Sequence, residues 1–372
     1  MPRLTADRGA VAVITAILMS AVLLGMAALV IDVGSLYAER RQLQAGADAA
    51  AIAVAEDCGS VRACVSGSGQ TPMQTAGTFA NGNANDGSAN VDLVCGTGPG
   101  LSGCPSQQGP WDCPALPPGA LSGASYVQVQ TSTRTSSGGS LLPPFLARAI
   151  PGMQGYNGTN VKACARASYG PPVNLTSVLP LTFSKCEWDH YTSNGTVFAP
   201  AGPYPAPTPW PAEVDIYFHN STQASSCGDG PAGADLPGGF GWLSVSSGCQ
   251  MSTGVDGWYN DSTGRAAPNG CDTTLASLVG KVIDVPVYDN TNGLTGNNGQ
   301  YQIASYAPFF ISGYYVNGGD SKPSVINGQS KCASGSASDS CIKGFFTKDL
   351  VPTTGTIGTG PSYGSVVVQM SG

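Results

Sequence analysis

The sequence predicts an α+β protein: one long N-terminal transmembrane helix, followed by a β-rich, disulfide-stabilised extracytoplasmic region with antiparallel sheets. Residues 10–31 form an apolar run without a single charged residue. All 12 cysteines follow that run. Segments in which apolar and polar residues alternate, as they do in half-buried strands, recur between loops rich in Gly and Pro.

The apolar run is long enough to cross a membrane. At about 1.5 Å of rise per residue it makes a helix of roughly 33 Å, against a hydrocarbon core of about 30 Å. A secretory signal peptide is the alternative, but its apolar region is usually about 7–15 residues long and ends at a cleavage site. Arg3 and Arg8 precede the span, so the positive-inside rule places residues 1–9 in the cytoplasm.

Small and apolar residues continue at helical spacing after the span, among them Leu43, Ala47 and Val54. We therefore expect residues 32–57 to continue the same helix outside the membrane. The small side chains keep the helix slim and allow close packing. The sequence leaves open whether this part packs on its own head domain or between subunits of an assembly.

The cysteines form an even set that suits disulfides in an oxidising compartment, and no Cys-x-x-Cys spacing occurs. Two local pairs are the best candidates. Cys332 and Cys341 flank the polar turn ASGSASDS, whereas Cys58 and Cys64 bracket a short loop after the long helix.

The region beyond the long helix divides into two parts. Residues 58–170 are predicted to form an α+β head, and residues 171–372 a β-rich ectodomain or a large elaboration of the first sheet. Pro171-Pro172 marks the boundary. Within the head we expect short helices at 73–81 and 141–150, and strands at 91–95, 126–135 and 160–170.

Composition and motif searches favour a protein without a catalytic centre, cofactor or metal. The net charge of -7 excludes nucleic-acid binding, because no basic stripe exists to displace counterions. Residues 360–364 match the GxSxG pattern, but none of the residues that follow is acidic or His. His190 and His219 lack metal-ligand spacing, and the segment 289–300 lacks the bidentate Glu of a calcium loop. The aromatic residues between 301 and 315 are expected to be core.

An ordered set of motifs runs through the first 57 residues. Its residues are Arg8, Gly9, Asp32, Gly34, Tyr37, Leu43, Ala47 and Asp48. Together they resemble the TadE/TadG-like family of tight-adherence, or Flp, pilus-assembly proteins. The resemblance implies a single-pass bacterial envelope protein with a pilin-like helix and head. Its implied partners are the lipid bilayer, other pilus-assembly or pilin subunits, and a surface ligand.

The bond between Gly9 and Ala10 resembles the site that prepilin peptidases cut. Processed pilins usually carry Glu at the fifth mature position, and this chain has Ile14 there. The resemblance therefore favours a membrane-held assembly factor over a minor pilin built into the filament. An exported hydrolase on a membrane anchor is the remaining alternative.

Overall fold

The computed structural model describes residues 7–60, 63–105, 113, 124–149, 152–200, 202, 204, 210–218, 240–245, 248–262, 264–292, 299–316, 320–335, 339–351 and 355–371. The helices are α1 (Asp7–Gly59), α2 (Pro72–Gly82), α3 (Lys185–Thr192) and α4 (Asp272–Leu278). The strands are β1 (Ala89–Gly96), β2 (Ser125–Thr133), β3 (Lys162–Gly170), β4 (Asn174–Ser177), β5 (Leu181–Ser184), β6 (Val214–Tyr217), β7 (Phe240–Trp242), β8 (Met251–Gly254), β9 (Trp258–Asn260), β10 (Lys281–Asn292), β11 (Gln300–Val316), β12 (Asp320–Lys322), β13 (Cys341–Phe346), β14 (Asp349–Leu350) and β15 (Ser365–Met370). The predicted α+β class is confirmed.

Helix α1 has two halves with different surroundings. The first half is apolar and exposed, with Leu23 at 66% and Leu24 at 70%. The second half buries a stripe of Leu43, Ala47 and Val54, each at 2% or less. Over the described residues, α1 is the helix that is long and apolar enough to cross a membrane. The predicted continuation over residues 32–57 lies entirely within it.

The second half of α1 packs, together with α2, on a five-stranded sheet in the order β1-β2-β3-β15-β14. Small side chains on both sides let the helix approach closely; Ala47 and Ala51 of α1 share a buried cluster with Ala165 and Ala167 of β3. A Cβ built on Gly46 would lie 3.1 Å from the Cα of Ala80 in α2. This part of α1 therefore packs on its own head.

Helix α2 begins where its sequence dictates. Thr71 and Gln74 form a capping box, in which the Thr71 hydroxyl accepts from the Gln74 N–H and the Gln74 side chain accepts from the Thr71 N–H. Pro72 occupies the first turn, where no intrahelical donor is needed.

A larger sheet has the order β6-β13-β11-β10-β5-β7, and β9 and β12 also pair with β11. Most pairs are antiparallel, but β10 pairs with β5, and β14 with β15, in parallel, so the sheets are mixed. The parallel β5–β10 pair is possible because a long connection carrying α3 and α4 separates the strands. Aromatic rings pack edge to face in the core of this sheet; the ring centroids of Phe183 on β5 and Phe309 on β11 are 4.9 Å apart. The aromatic residues of β11 are buried, as expected.

The end of the chain returns to the first sheet. Strand β15 pairs antiparallel with β3, opposite β2, although it follows the whole larger sheet in sequence. The Ser365 hydroxyl at its start donates to Asp284 Oδ1 of β10 across 2.5 Å, which ties the two sheets together. Residues on both sides of the predicted boundary at 171 thus build the first sheet, and the boundary itself stays a prediction.

Candidate functional site

Asp32, the first charged residue after the apolar run 10–31, marks the end of the apolar half of α1. Its Oδ1 accepts from the backbone N–H of Phe145 at 2.7 Å and of Leu146 at 3.1 Å. Its Oδ2 accepts from Leu146 at 3.2 Å and from Ala147 at 2.5 Å. A carboxylate facing successive N–H groups at the start of a helical turn makes charge-assisted hydrogen bonds that satisfy donors left without an internal partner.

The predicted helix at 141–150 is reduced to a single 3₁₀ turn, Ala147–Ala149, in the described part of this segment. Pro143 and Pro144 have no N–H and cannot continue a helical ladder. The backbone N–H groups of residues 145–147 donate to the Asp32 carboxylate instead. The helix prediction was therefore wrong here, because the donors are satisfied by a side chain from 113 residues earlier in the sequence.

The remaining motif residues divide between exposed and buried positions. Gly34 has open space around a built Cβ, and Tyr37 is 65% exposed. Leu43 and Ala47 are buried, and the Leu43 carbonyl accepts from the Thr131 hydroxyl of β2 at 3.0 Å. Asp48 accepts from a neighbouring side-chain amide within α1 at 2.8 Å.

That amide belongs to Gln44, whose Nε2 also donates to the Cys164 carbonyl of β3 at 3.0 Å. The sequence analysis did not single out this contact, although Gln44 lies within the motif run. Arg8, Gly9 and Ala10 all lie inside α1, so the helix is continuous across the candidate cleavage bond.

A cleft of about 600 Å³ lies where the end of α1 faces the larger sheet. Its charged lining includes Glu56, Lys348 and Asp349. Burial raises the pKa of Glu56 and of Asp349 and lowers the pKa of Lys348, whose ammonium lies 4.9 Å from the centre of the Phe198 ring. The described residues that line the cleft also include the hydroxyl groups of Ser60 and Thr347, so the lining supplies both charged and polar groups.

Helix α1 contains the segment of the chain that matches a known family. Residues 9–57 match the family described as putative Flp pilus-assembly TadE/G-like. This TadE/G-like segment spans both the apolar half of α1 and the stripe that packs on the head, and it includes Asp32. The match confirms the resemblance and supports a pilus-related role. Searches of curated proteins and of solved structures gave no match.

Disulfides begin directly behind the TadE/G-like segment. Both candidate pairs are bonded: Cys58 to Cys64, and Cys332 to Cys341. Further bridges join Cys95 to Cys104, Cys113 to Cys164, and Cys249 to Cys271. Cys186 is also disulfide-bonded, and Cys227 lies outside the described residues. The spacing of the cysteines in the sequence could not pair Cys113 with Cys164, because these residues are 51 positions apart and come together only through the fold.

The other motifs considered from sequence do not converge on the TadE/G-like segment. The GxSxG match at 360–364 leads directly into strand β15 and not into a helix, so it lacks the context of a nucleophile elbow. His190 packs its ring against Tyr191, whereas His219 and residues 293–298 of the proposed calcium loop lie outside the described residues. Asp215 lies near Cys332 and Cys341, but those sulfurs are joined to each other and are not thiolate ligands.

Proposed function

We propose that the protein is a membrane-anchored component of a Tad/Flp-type pilus-assembly or surface-adhesion system, and that it acts by binding and not by catalysis. Its N-terminus lies in the cytoplasm and its C-terminal domain lies outside. The apolar half of α1 carries the proposal. The large apolar side chains described between Val11 and Ile31 are 48% to 70% exposed, whereas the second half of the same helix is packed on the head. Leaving that surface in water is costly at about 25 cal/mol per Å² of apolar area.

The rest of the chain fits an extracytoplasmic head. Bridges close loops throughout both sheets, which is typical of proteins that fold in an oxidising compartment. The head is joined to α1 by close packing of small residues, so it is presented at a fixed position outside the bilayer. Its partners on this reading are other pilus-assembly or pilin subunits and a surface ligand.

Two substitutions in the span test the anchoring. Leu23→Asp with Leu24→Asp places two charges near the middle of the span, each at an insertion cost of about 2.5–3.5 kcal/mol. Val178→Asp with Val197→Asp is the matched control, because both residues are exposed and lie in the β-rich part of the chain after residue 171. We expect the first pair to remove the protein from the membrane fraction and to fail to restore pili to a deletion strain, and the control pair to do neither.

A reporter fused after Gly372 tests the orientation and should be active outside the cytoplasm. A wild-type protein that is soluble in the cytoplasm, or a deletion strain that makes normal pili and adheres normally, would refute the proposal.

A second candidate, a minor pilin, is favoured by the continuity of α1 across Gly9 and Ala10. Peptidase cleavage there would leave the whole span attached to the head. N-terminal sequencing of the membrane-extracted protein separates the two: a chain that starts at Ala10 favours the minor pilin, and an uncut chain favours the fixed assembly factor. A cut between Asp32 and Ser60 would release the head and exclude both.

A further inference from the structure

Residues 141–149, here called the apolar loop, expose side chains that a water-soluble surface ordinarily hides. Phe145 is 71% exposed, more than any other large apolar side chain that the structure describes. Leu141 and Leu146 on the same loop are 42% and 39% exposed. Clustered exposed apolar residues mark an interaction surface more often than isolated ones do.

The apolar loop is bonded to α1 at the residue where the proposed membrane span ends. Asp32 directly follows the run 10–31, and its carboxylate binds the backbone N–H of Phe145 at 2.7 Å. The polar headgroup region extends about 5–8 Å beyond the hydrocarbon core of each leaflet. A residue one hydrogen bond from the end of the span therefore lies within that region.

The apolar loop is also braced from its other side. Leu142 and Thr159 exchange two backbone hydrogen bonds of 2.8 and 3.3 Å. The Arg148 guanidinium donates to the Tyr156 carbonyl at 3.0 Å and to Asn157 Oδ1 at 3.1 Å. These bonds and the Asp32 carboxylate fix the backbone of the loop while Phe145 remains uncovered, which is the arrangement of a pre-organised contact.

We propose that the apolar loop inserts Phe145 and its neighbours into the outer-leaflet surface of the phospholipid bilayer, so that the head rests on the membrane at a second point beside α1. Aromatic and aliphatic side chains favour this interface. Tyr37, exposed on α1 about 7.5 Å further along the helix axis than Asp32, adds a second ring towards the outer part of the headgroup region. Asp32 is the positioning residue of this contact. The inference rests on the membrane anchoring proposed above.

Quenching by brominated lipid tests the contact in the full-length, oxidised protein. Phe145→Trp is reconstituted into phosphatidylcholine bilayers whose acyl chains are brominated near the ester end, and the emission of the wild-type protein, with its five native tryptophans, is subtracted. Val325→Trp, at an exposed position of the β-rich part of the chain, is the matched control, and Leu24→Trp reports whether the apolar run lies in the bilayer. We expect the bromine-dependent loss of emission to be severalfold larger for Phe145→Trp than for Val325→Trp. Adding Asp32→Ala should return it towards the control, because the methyl group of Ala cannot accept hydrogen bonds from the loop N–H groups.

The outcomes separate the inference from the proposal beneath it. Quenching of Leu24→Trp without quenching of Phe145→Trp leaves the anchor in place and overturns the lipid contact. Absence of quenching in both variants overturns the anchor. Blue-shifted emission of Phe145→Trp without bromine quenching shows that protein covers the loop, and also overturns the lipid contact. Unchanged quenching after Asp32→Ala removes the positioning role of Asp32.

Discussion

Asp284 provides a sharp test of the interior, because it is a carboxyl group placed between the two sheets. It lies on β10 and accepts from the Ser365 hydroxyl of β15 at 2.5 Å. Burial raises its pKa from 3.8 to about 6, the Ser365 hydrogen bond opposes this rise, and the negative charge of Asp349 adds to it. The folded protein therefore holds this proton at pH values where the unfolded chain has released it.

The sign of the effect on stability follows from the difference in bound protons. Between pH 3.8 and about 6 the folded state binds more protons than the unfolded state, so this group makes the free energy of unfolding fall as the pH rises. Each pH unit between the two pKa values corresponds to about 1.4 kcal/mol, which gives about 3 kcal/mol at pH 7. Asp284→Asn removes the titration and keeps an oxygen that can accept from Ser365.

We expect Asp284→Asn to be more stable than the wild type by about 3 kcal/mol at pH 7 and to show almost no advantage near pH 4. Denaturant titration of the full-length protein in detergent micelles, followed by tryptophan fluorescence to which the buried Trp242 contributes, measures the difference. Asp256→Asn, at an exposed turn position, is the control for the loss of a carboxylate and should not reproduce the gain in stability of Asp284→Asn at pH 7. An advantage for Asp284→Asn that is absent at pH 7, or equal at pH 4 and pH 7, would refute the reasoning.

Two further predictions concern packing and charge. Lys343→Met should destabilise the protein by about 3–5 kcal/mol, because it leaves the nearly buried Asp215 carboxylate, 2.9 Å from Nζ, without its cation. The double variant with Asp215→Leu should recover much of this loss in the same denaturant titration, and no recovery would contradict a charge effect. Gly46→Val should lower the melting temperature because its side chain meets the backbone of Ala80, whereas Gly34→Val, which meets nothing within 4 Å, should lower it much less; equal effects would show that helix propensity and not packing decides.

The sequence predicted those features that depend on local pattern. The charge-free run to Ile31 and the spacing of Leu43, Ala47 and Val54 gave the two halves of α1, because helical periodicity is written into consecutive residues. Period-two alternation likewise predicted strands β2 and β3.

Features that depend on distant residues escaped the sequence analysis. The return of β15 to β3, and the parallel pairing of β5 with β10, join segments whose alternation carries no information on direction or partner. Asp32 belongs to the family motif, yet nothing near it in the sequence indicates that its carboxylate accepts hydrogen bonds from the N–H groups of residues 145–147. Likewise, the sequence around Glu39, two turns further along α1, does not indicate that burial raises the pKa of its carboxyl group.

The unbroken course of α1 has a mechanical consequence. No hinge separates the apolar half from the stripe that packs on the first sheet, and the last strand of the chain, β15, belongs to that same sheet. A force applied to the larger sheet must therefore pass through the first sheet before it reaches the helix. We therefore expect a pull on the larger sheet to tilt α1 together with the head, and not to extend a flexible connection between them.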